Sequence, residues 1–404
     1  MRFFILGNIN AGKSTFAESI YKIMCQLGKY EILRIDDFRK KYGDGSEKSE
    51  IKIARYFAKA MLETENAIVE LCGFGYAAKE ILKKMRDNSC VVLYINAPLQ
   101  ICLERIEAKR KIFESNNHFA ESTKIADTIR LLDTTLKSGK LYEMWDRIAL
   151  GWHTIEQDDF IEINSKLPLK QYHYTGEMIN ILKKNGFNKL ISYGSLGRLD
   201  MSLYSDIDLI LLSKFSKEQV FNMIQDHWQE IFKESVMFIL GEKIVILKDD
   251  IMVELAIIQS FKEYVKYYCG SYINNVSKTI LLGGKKLCDT IAKVSQTYMD
   301  SPLYKSESYD LQVCRDKIQY YLFFLKKMAA EDDCFRFYFY NNLIIDSIVR
   351  YLCIKEGIVM YLYCPKHINH IMAKYKIKYL VYDMSRDKHS HIKKVKTFVE
   401  KWIE

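Results

Sequence analysis

Proline is scarce in this sequence, with 4 residues in a chain of 404, where average usage would give about 20. So few prolines exclude long proline-rich linkers between domains. The shares of hydrophobic residues, 49%, and charged residues, 27%, are ordinary for a globular protein and exclude a disordered or fibrous chain. At about 150 residues per domain, the length predicts two to three domains.

Cys-x-x-Cys pairs and long apolar runs are also missing. The ten cysteines form no such pair, which indicates neither a zinc site nor a disulfide framework. Several lie in apolar runs, as Cys90 does, where a free thiol packs as a small hydrophobe. No run reaches the roughly 18 apolar residues that cross a bilayer, and the N-terminal run is too short for a signal peptide. We therefore expect a protein of the reducing cytoplasm without a membrane partner.

A net charge of +9, from 60 Lys and Arg against 51 Asp and Glu, suits a protein that handles polyanions such as nucleotides or RNA. The same value is common for a solvated surface, so charge alone does not decide between these interpretations.

Residues 1–165 alternate short β-type runs with helix-length segments. This pattern predicts an α/β domain with a parallel sheet covered on both faces. The segment Ser14–Leu27 has apolar residues three to four apart, as an amphipathic helix does. The expected strands are Arg2–Leu6, Glu31–Ile35, Ala67–Leu71, Val91–Ala97 and Phe160–Ile163.

Two further domains are expected, at residues 166–300 and 301–404, with Pro168 and Pro302 near their boundaries. The first is predicted to be α+β, because strands there follow one another through turns. The second is predicted to be all-α, with long apolar periodicity and a basic, amphipathic end. The expected central strands are Lys189–Tyr193, Ile207–Leu212, Lys243–Leu247 and Ile251–Ile258, and the expected helices are Asp310–Ala330 and Tyr340–Lys355.

The segment from Gly7 to Thr15 matches G-x-x-x-x-G-K-[ST] at every fixed position, between an apolar strand and an amphipathic helix. Glycines let such a loop wrap a polyphosphate, and its backbone N–H groups with the helix N-terminus attract negative charge. We expect the lysine to reach the β- and γ-phosphates of ATP and the serine to bind Mg²⁺. The predicted nucleotide-binding residues here are Gly7, Asn10, Gly12, Lys13, Ser14 and Thr15.

Asp36 and Arg39 follow the second strand. A carboxylate at that place can accept a proton from an acceptor hydroxyl, and an arginine can hold an anionic acceptor. The stretch resembles the Asp-Asp-x-Arg segment of P-loop small-molecule and polynucleotide kinases, which implies Asp36 as base and Arg39 as substrate-binding. The alternative is a helix start with a surface charge pair.

The strand and helix from Tyr94 to Ile106 resemble the lid region of the same kinases, which implies that Arg105 and Arg110 clamp the transferring phosphate. Solvated arginines on an exposed helix are the alternative. The third strand departs from the kinase pattern because it has no Asp on the metal side. Either Glu70 replaces it, or Mg²⁺ is held by Ser14, Asp36 and water.

A second group begins at Gly194 and Ser195 and continues with Asp206 and Asp208. Two carboxylates two residues apart on a strand face the same side and repel each other unless cations share them, which indicates Mg²⁺. The Gly-Ser turn can bind the terminal phosphates of an NTP. Glu254 is the only acid in an apolar strand, so we expect it to be the third carboxylate.

This block resembles the nucleotidyltransferase superfamily with the Gly-Ser…Asp-x-Asp signature, including its aminoglycoside and lincosamide branch. The resemblance implies Asp206, Asp208 and Glu254 as catalytic metal ligands, and Gly194 and Ser195 as nucleotide-binding. In many members of this superfamily the turn continues with Arg-Gly, whereas here it runs Gly197-Arg198-Leu199-Asp200, which is a departure from the pattern. Segments around residues 280–289, 340–342 and 363–367 are weakly similar to the small-acceptor branch.

Together the two groups predict a bifunctional transferase that uses ATP, a second NTP and Mg²⁺. One domain phosphorylates a hydroxyl, and the other moves an NMP to a small acceptor such as a sugar, nucleoside or antibiotic. The first alternative is nucleic-acid end processing by a 5′-kinase and a 3′-nucleotide adder, although no RNA module and no dense basic-aromatic stripe stand out. A toxin or defence protein that modifies tRNA or protein, and a P-loop that only senses nucleotide, are further alternatives.

Overall fold

The computed structural model describes residues 1–85, 90–114, 122–156, 166–268, 276–299, 310–356, 371–381 and 387–403. The chain forms two compact units, Met1–Ser260 with Asn275–Asp289, and Phe261–Asn274 with Thr290–Glu404. The predicted boundaries at residues 165 and 300 lie outside the described residues, as do the predicted strand Phe160–Ile163 and the segment 363–367.

The first unit begins with a five-stranded parallel sheet, which confirms the predicted parallel α/β arrangement. The strands are β1 (Arg2–Gly7), β2 (Glu31–Arg34), β3 (Ala67–Glu70), β4 (Cys90–Asn96) and β5 (Ala149–Glu156). They pair in the order β2-β3-β1-β4-β5. The fifth strand, at 149–156, lies where none was expected.

Helices connect these strands, and their apolar faces cover the sheet. Phe16 and Ile20 are fully buried on one face, and Phe57 and Met61 on the other. A sheet buried on both faces explains the near-continuous apolar runs of β1 and β4. The connecting helices are Lys13–Met24, Ile35–Tyr42, Glu47–Glu63, Gly75–Lys84, Leu99–Glu114, Ser122–Lys137 and Lys140–Asp146.

The same unit contains a second sheet of six strands. They are β6 (Leu190–Ser192), β7 (Ile207–Leu212), β8 (Val236–Leu240), β9 (Lys243–Lys248), β10 (Ile251–Ile258) and β11 (Ile280–Leu282), and the helices beside them are Leu169–Lys184, Gly194–Arg198, Lys217–Ile231 and Val276–Thr279. The strands pair in the order β11-β6-β7-β10-β9-β8; within this sheet β7 and β10 pair in parallel, and the other neighbours are antiparallel.

The helix Leu169–Lys184 joins the two sheets, and most of its residues are buried. His173 on this helix is hydrogen-bonded to the Tyr30 hydroxyl (2.8 Å), and Tyr172 to His153 on β5 (3.0 Å). One apolar core contains side chains from both sheets, so the first unit folds around both of them together.

The described part of the second unit is helical, which confirms a helical C-terminal region. It has its own apolar core, built mainly from two long helices and the last helix. Phe261–Tyr268, Leu311–Ala330, Cys334–Lys355, the 3-10 turn Ile377–Leu380 and Lys388–Trp402 belong to it, and Gly284–Met299 begins in the first unit and ends in the second. Among the described residues, no helix has both the length and the apolar composition needed to cross a bilayer.

Candidate functional site

The glycine-rich loop after β1 has a backbone that few residues can adopt. Gly7 (φ 152°), Asn10 (φ 61°) and Gly12 (φ 95°) all have positive φ, and the helix Lys13–Met24 begins directly after Gly12. A Cβ at Gly7 would lie 2.8 Å from the carbonyl oxygen of Ile95. The loop therefore needs glycine at Gly7 and Gly12 to bring its N–H groups together at a helix N-terminus, where anions bind.

Two cationic side chains lie at this loop. The Lys13 ammonium donates a hydrogen bond to the Asn8 carbonyl oxygen (2.6 Å), and Arg105 donates one to the Asn10 carbonyl oxygen (2.7 Å). Arg105 therefore reaches the loop from the helix Leu99–Glu114, and its predicted role as a clamp on the transferring phosphate stays a prediction. The side chain of Arg110, on the same helix, lies outside the described residues.

The Ser14 hydroxyl donates a hydrogen bond to Glu70 Oε1 (2.7 Å), and Arg34 Nε donates to Glu70 Oε2 (3.2 Å). Glu70 is buried at the end of β3, between β1 and β2 in the sheet. The only carboxylate of the third strand, Glu70, therefore lies against Ser14. Glu70 and Ser14 are oxygen donors of the kind that Mg²⁺ prefers.

A groove of about 520 Å³ opens beside these residues, and Ser14, Thr15, Asp36 and Glu70 line it together. Asp36 lies in the first turn of the helix Ile35–Tyr42, half exposed, and pairs with Arg39 (2.9 Å). Asp36 and the predicted metal ligand Ser14 therefore line the same groove, and Arg39 lies next to Asp36.

Glu50 holds Arg39 from the other side, accepting hydrogen bonds from Nε (2.9 Å) and Nη2 (3.1 Å). These two carboxylates, Asp36 and Glu50, raise the pKa of Arg39 above its ordinary value in spite of burial. Arg39 is therefore a cation held in place by two carboxylates, one of which, Asp36, lines the groove.

Gly194 and Asp208 are in direct contact at the second group. A Cβ at Gly194 (φ 59°) would lie 1.8 Å from Asp208 Oδ2, so only glycine leaves room for this carboxylate. The Tyr193 N–H also donates to the Asp208 carbonyl oxygen (3.0 Å). Ser195 follows, buried in the short helix Gly194–Arg198.

Asp208 and Glu254 lie opposite each other on the paired parallel strands β7 and β10. Burial and the charges of Glu254 and Asp206 raise the pKa of Asp208 to about 7, against an ordinary value of 3.8. Asp206 is exposed, one residue before β7 begins. A buried carboxyl group whose ionisation is opposed by two neighbouring carboxylates belongs to a donor set that suits a divalent cation.

Lys243 on β9 forms an ion pair with Glu254, and its ammonium lies 5.8 Å from the centre of the Tyr193 ring. It also counteracts the rise in the pKa of Asp208. Within the described ranges no three His, Cys, Asp or Glu side chains are arranged to hold one metal ion as they stand. In this arrangement Lys243 neutralises one of the three acids, Glu254.

The turn that departs from the superfamily pattern is ordered by its own contacts. Leu199 (φ 64°) ends the short helix, and the Asp200 N–H donates to the Ser195 carbonyl oxygen (3.1 Å). Arg198 is mostly buried and pairs with Asp200 (3.3 Å). Arg198 also lowers the pKa of Asp208, so this arginine contributes positive potential beside the acids.

Sequence analysis did not single out Lys243, Arg34 or Glu50. A signal was present for two of them. Lys243 lies two residues from Val245, which is opposite Glu254, and Arg34 is the register partner of Glu70. Residues in register on neighbouring strands face the same side of a sheet, so strand pairing could have revealed both contacts.

No protein-family model matches this chain, and no curated protein matches it. A solved structure similar to it is entitled "Structure of the Pnkp1/Rnl/Hen1 RNA repair complex", with 18% sequence identity and a TM-score of 0.27. The match covers 34% of this chain and 45% of that chain, so it spans less than half of that chain's length. What this chain does must therefore be inferred from the two groups of residues themselves.

Proposed function

We propose that this chain is a bifunctional transferase with two nucleotide sites in its first unit. One site moves the γ-phosphate of ATP to a hydroxyl, and the other moves an NMP from an NTP to a small hydroxylated acceptor with release of pyrophosphate. The observation that supports this most directly is that each glycine-dependent turn, at Gly12 and at Gly194, lies beside its own group of carboxylates.

At the first site, the loop and Lys13 bind the phosphates, and Ser14 with Glu70 would hold Mg²⁺. Asp36 takes the proton from the acceptor hydroxyl as that oxygen attacks, and Arg39 holds an anionic acceptor in the groove. Arg105, anchored on the loop, neutralises charge on the transferring phosphoryl group.

At the second site, Asp206, Asp208 and Glu254 would hold Mg²⁺, which shields phosphate charge and orients the α-phosphate when it is bound. Ser195 and the N–H groups of the short turn bind the terminal phosphates. Glu254 has to release Lys243 before it can bind a metal or take a proton from the acceptor. The ammonium of Lys243 then becomes available to the triphosphate.

Nucleic-acid end processing is the second candidate function, and the distribution of charge favours it. Residues 301–404 carry 18 Lys and Arg against 12 Asp and Glu, which is six of the nine net positive charges. A basic unit joined to a kinase and a nucleotidyltransferase suits an RNA or DNA acceptor.

Labelled nucleotides separate these candidates. The wild-type protein is incubated with α- or γ-labelled NTPs, Mg²⁺ and pools of either small hydroxylated compounds or RNA. Transfer of γ-label and of α-label to small products supports the main proposal, and transfer of both labels to RNA supports the second. If neither label is transferred to any pool, the proposal fails.

Variants assign each reaction to its site. Lys13→Ala should abolish γ-phosphate transfer and keep NMP transfer, and Asp206→Ala with Asp208→Ala should do the opposite. Circular dichroism and melting temperature show whether each variant is folded. Loss of both activities in either folded variant would show that the two sites are not independent.

A further inference from the structure

The second unit carries a cluster of aromatic side chains, the aromatic face, with three of them exposed and two partly buried. It consists of Tyr320, Phe323, Phe324, Phe339 and Tyr340, from the helices Leu311–Ala330 and Cys334–Lys355. Tyr320, Phe323 and Phe339 are 59%, 65% and 52% exposed. Contiguous exposed apolar surface of this kind is characteristic of an interaction site.

The rings of this aromatic face touch one another across the two helices. Phe324 and Tyr340 are stacked, with centroids 5.0 Å apart and planes at 21°. Tyr320 and Phe323 flank Phe324 at 5.0 and 5.7 Å, and Phe339 lies 5.5 Å from Tyr340. The face is therefore a continuous surface of rings and not a set of isolated side chains.

Lysines lie beside these rings. Lys326 is three residues after Phe323 on the same helix, so the two side chains are neighbours on its surface. Lys396, on the helix Lys388–Trp402, comes so close that its charge lowers the pKa of the exposed Lys326. Two ammonium groups held this close repel each other, and an anion bound to both would relieve that repulsion.

We infer that the aromatic face and the pair Lys326 and Lys396 form a binding surface for single-stranded nucleic acid. Bases stack on exposed rings regardless of sequence, and the phosphates of the same strand pair with lysines. A protein partner would use the apolar area but would not need the lysine pair. The wider charge agrees with this choice, because residues 371–403 carry nine Lys and Arg against three Asp and Glu.

No dense basic-aromatic stripe is visible in the sequence, and the residues of this surface are far apart along the chain. The aromatic residues are separated by up to 20 positions along the chain, and Lys396 is still further away. Only the packing of three helices brings them together.

The surface can be tested by fluorescence anisotropy with the full-length protein, without nucleotides, so the result does not depend on the proposed reactions. The probes are fluorescein-labelled oligo(U) RNA and oligo(dT) DNA of about 15 nucleotides, at about 50 and 200 mM KCl. The wild type should bind at least one probe, with weaker affinity at the higher salt concentration. No binding to either probe at low salt would overturn the inference.

Variants connect that binding to the surface. Phe323→Ala and Tyr320→Ala should each weaken binding roughly 5- to 100-fold. Phe323→Leu, which keeps apolar area but not the ring, should weaken binding almost as much. Lys326→Ala with Lys396→Ala should lower the slope of log affinity against log salt by about 1 to 2.

Two matched controls lie elsewhere. Tyr142→Ala removes a half-exposed ring of the first unit, and Lys374→Ala removes a lysine of the second unit that is paired with Glu356 (2.7 Å). Neither should change affinity more than about twofold. Binding that the surface variants leave unchanged would place the nucleic acid elsewhere and refute the inference. A second result would also refute it. If sedimentation showed that the wild type self-associates and that Phe323→Ala abolishes this without changing nucleic-acid affinity, the surface would be a contact between copies of the chain.

Discussion

The surroundings of Asp208 disfavour the ionised form of its carboxyl group. It is largely buried against Gly194, and two further acids lie near it. In the unfolded chain it loses its proton near pH 3.8, but in the folded protein only near pH 7. The folded protein therefore loses stability as the pH rises through this window, by about 4 kcal/mol at most.

Asp208→Asn should remove this loss. In EDTA at pH 8 the variant should have a higher free energy of unfolding than the wild type, and the difference should shrink as the pH falls toward 4. Urea denaturation monitored by circular dichroism measures both proteins. Asp206→Asn, at an exposed position, should raise the free energy of unfolding at pH 8 by less than Asp208→Asn does. An Asp208→Asn variant that is no more stable than the wild type at pH 8 would show that the site is already neutralised without metal.

Asp36 makes a sharper kinetic prediction. Asp36→Asn keeps the size of the side chain but removes the proposed base, so kcat of phosphoryl transfer should fall by about 10²- to 10⁴-fold while ATP still binds. Asp37→Asn is the matched control, because Asp37 lines the same groove and pairs with Lys40 (3.6 Å). If kcat of Asp36→Asn is within threefold of the wild-type value, Asp36 is not the base, and its role is limited to the start of the helix and the positioning of Arg39.

At the scale of elements, strands with strong apolar runs could be predicted from the sequence. Strands that form because they pair with a neighbour could not. Ile207–Leu212 and Ile251–Ile258 have the predicted bounds. Two other strands were missed for physical reasons. Ala149–Glu156 contains Gly, His and Thr and is a strand because it pairs with β4, and Val236–Leu240 is an edge strand with alternate residues exposed.

The same distinction applies to the sites. The residue types of the glycine loop and of the Asp-x-Asp pair follow from local chemistry, so motifs in the sequence point to them directly. The placement of Glu254 opposite Asp208 was expected from strand alternation, and the structure places it there. The ion pair of Glu254 with Lys243 and the contact of Ser14 with Glu70 depend on how strands align, which a single sequence does not specify.

The helix Leu169–Lys184 makes the first unit sensitive to acid. Burial lowers the pKa of His173 on this helix, and of His153 on β5, to about 4. Both remain neutral in the folded protein, whereas in the unfolded chain they become charged below about pH 6.5. The contribution of these two histidines to stability should therefore be fully present above pH 6.5 and be lost as the pH falls toward 4, by about 3 kcal/mol for each histidine at most.

His173→Gln removes one of these titrations and should flatten the fall in unfolding free energy between pH 6.5 and 4 relative to wild type. Urea denaturation across that range gives the comparison. His227→Gln is the control, since His227 is exposed and should leave the pH dependence unchanged. If the unfolding free energy of His173→Gln falls with pH as steeply as that of the wild type, protonation of the buried imidazole does not destabilise the folded protein.

At the scale of the whole molecule, the predicted parallel sheet and the helical C-terminal region are both present. Composition and periodicity were sufficient for these, because each depends on repeated local patterns. The grouping of both sheets into one compact unit was not foreseen. It depends on the helix Leu169–Lys184, whose sequence has polar residues three to four positions apart, including His173 and Glu177. Both of these are buried, so the polar stripe does not mark a face exposed to solvent.

That shared core has a consequence for how the protein tolerates heat. Because side chains of both sheets share one core, we expect the two proposed sites to lose their structure in the same thermal transition. A nucleotide that binds only at Gly12 would therefore delay thermal inactivation at Asp208 as well, in proportion to the logarithm of its concentration over its dissociation constant. Each substrate would protect the reaction in which it takes no part.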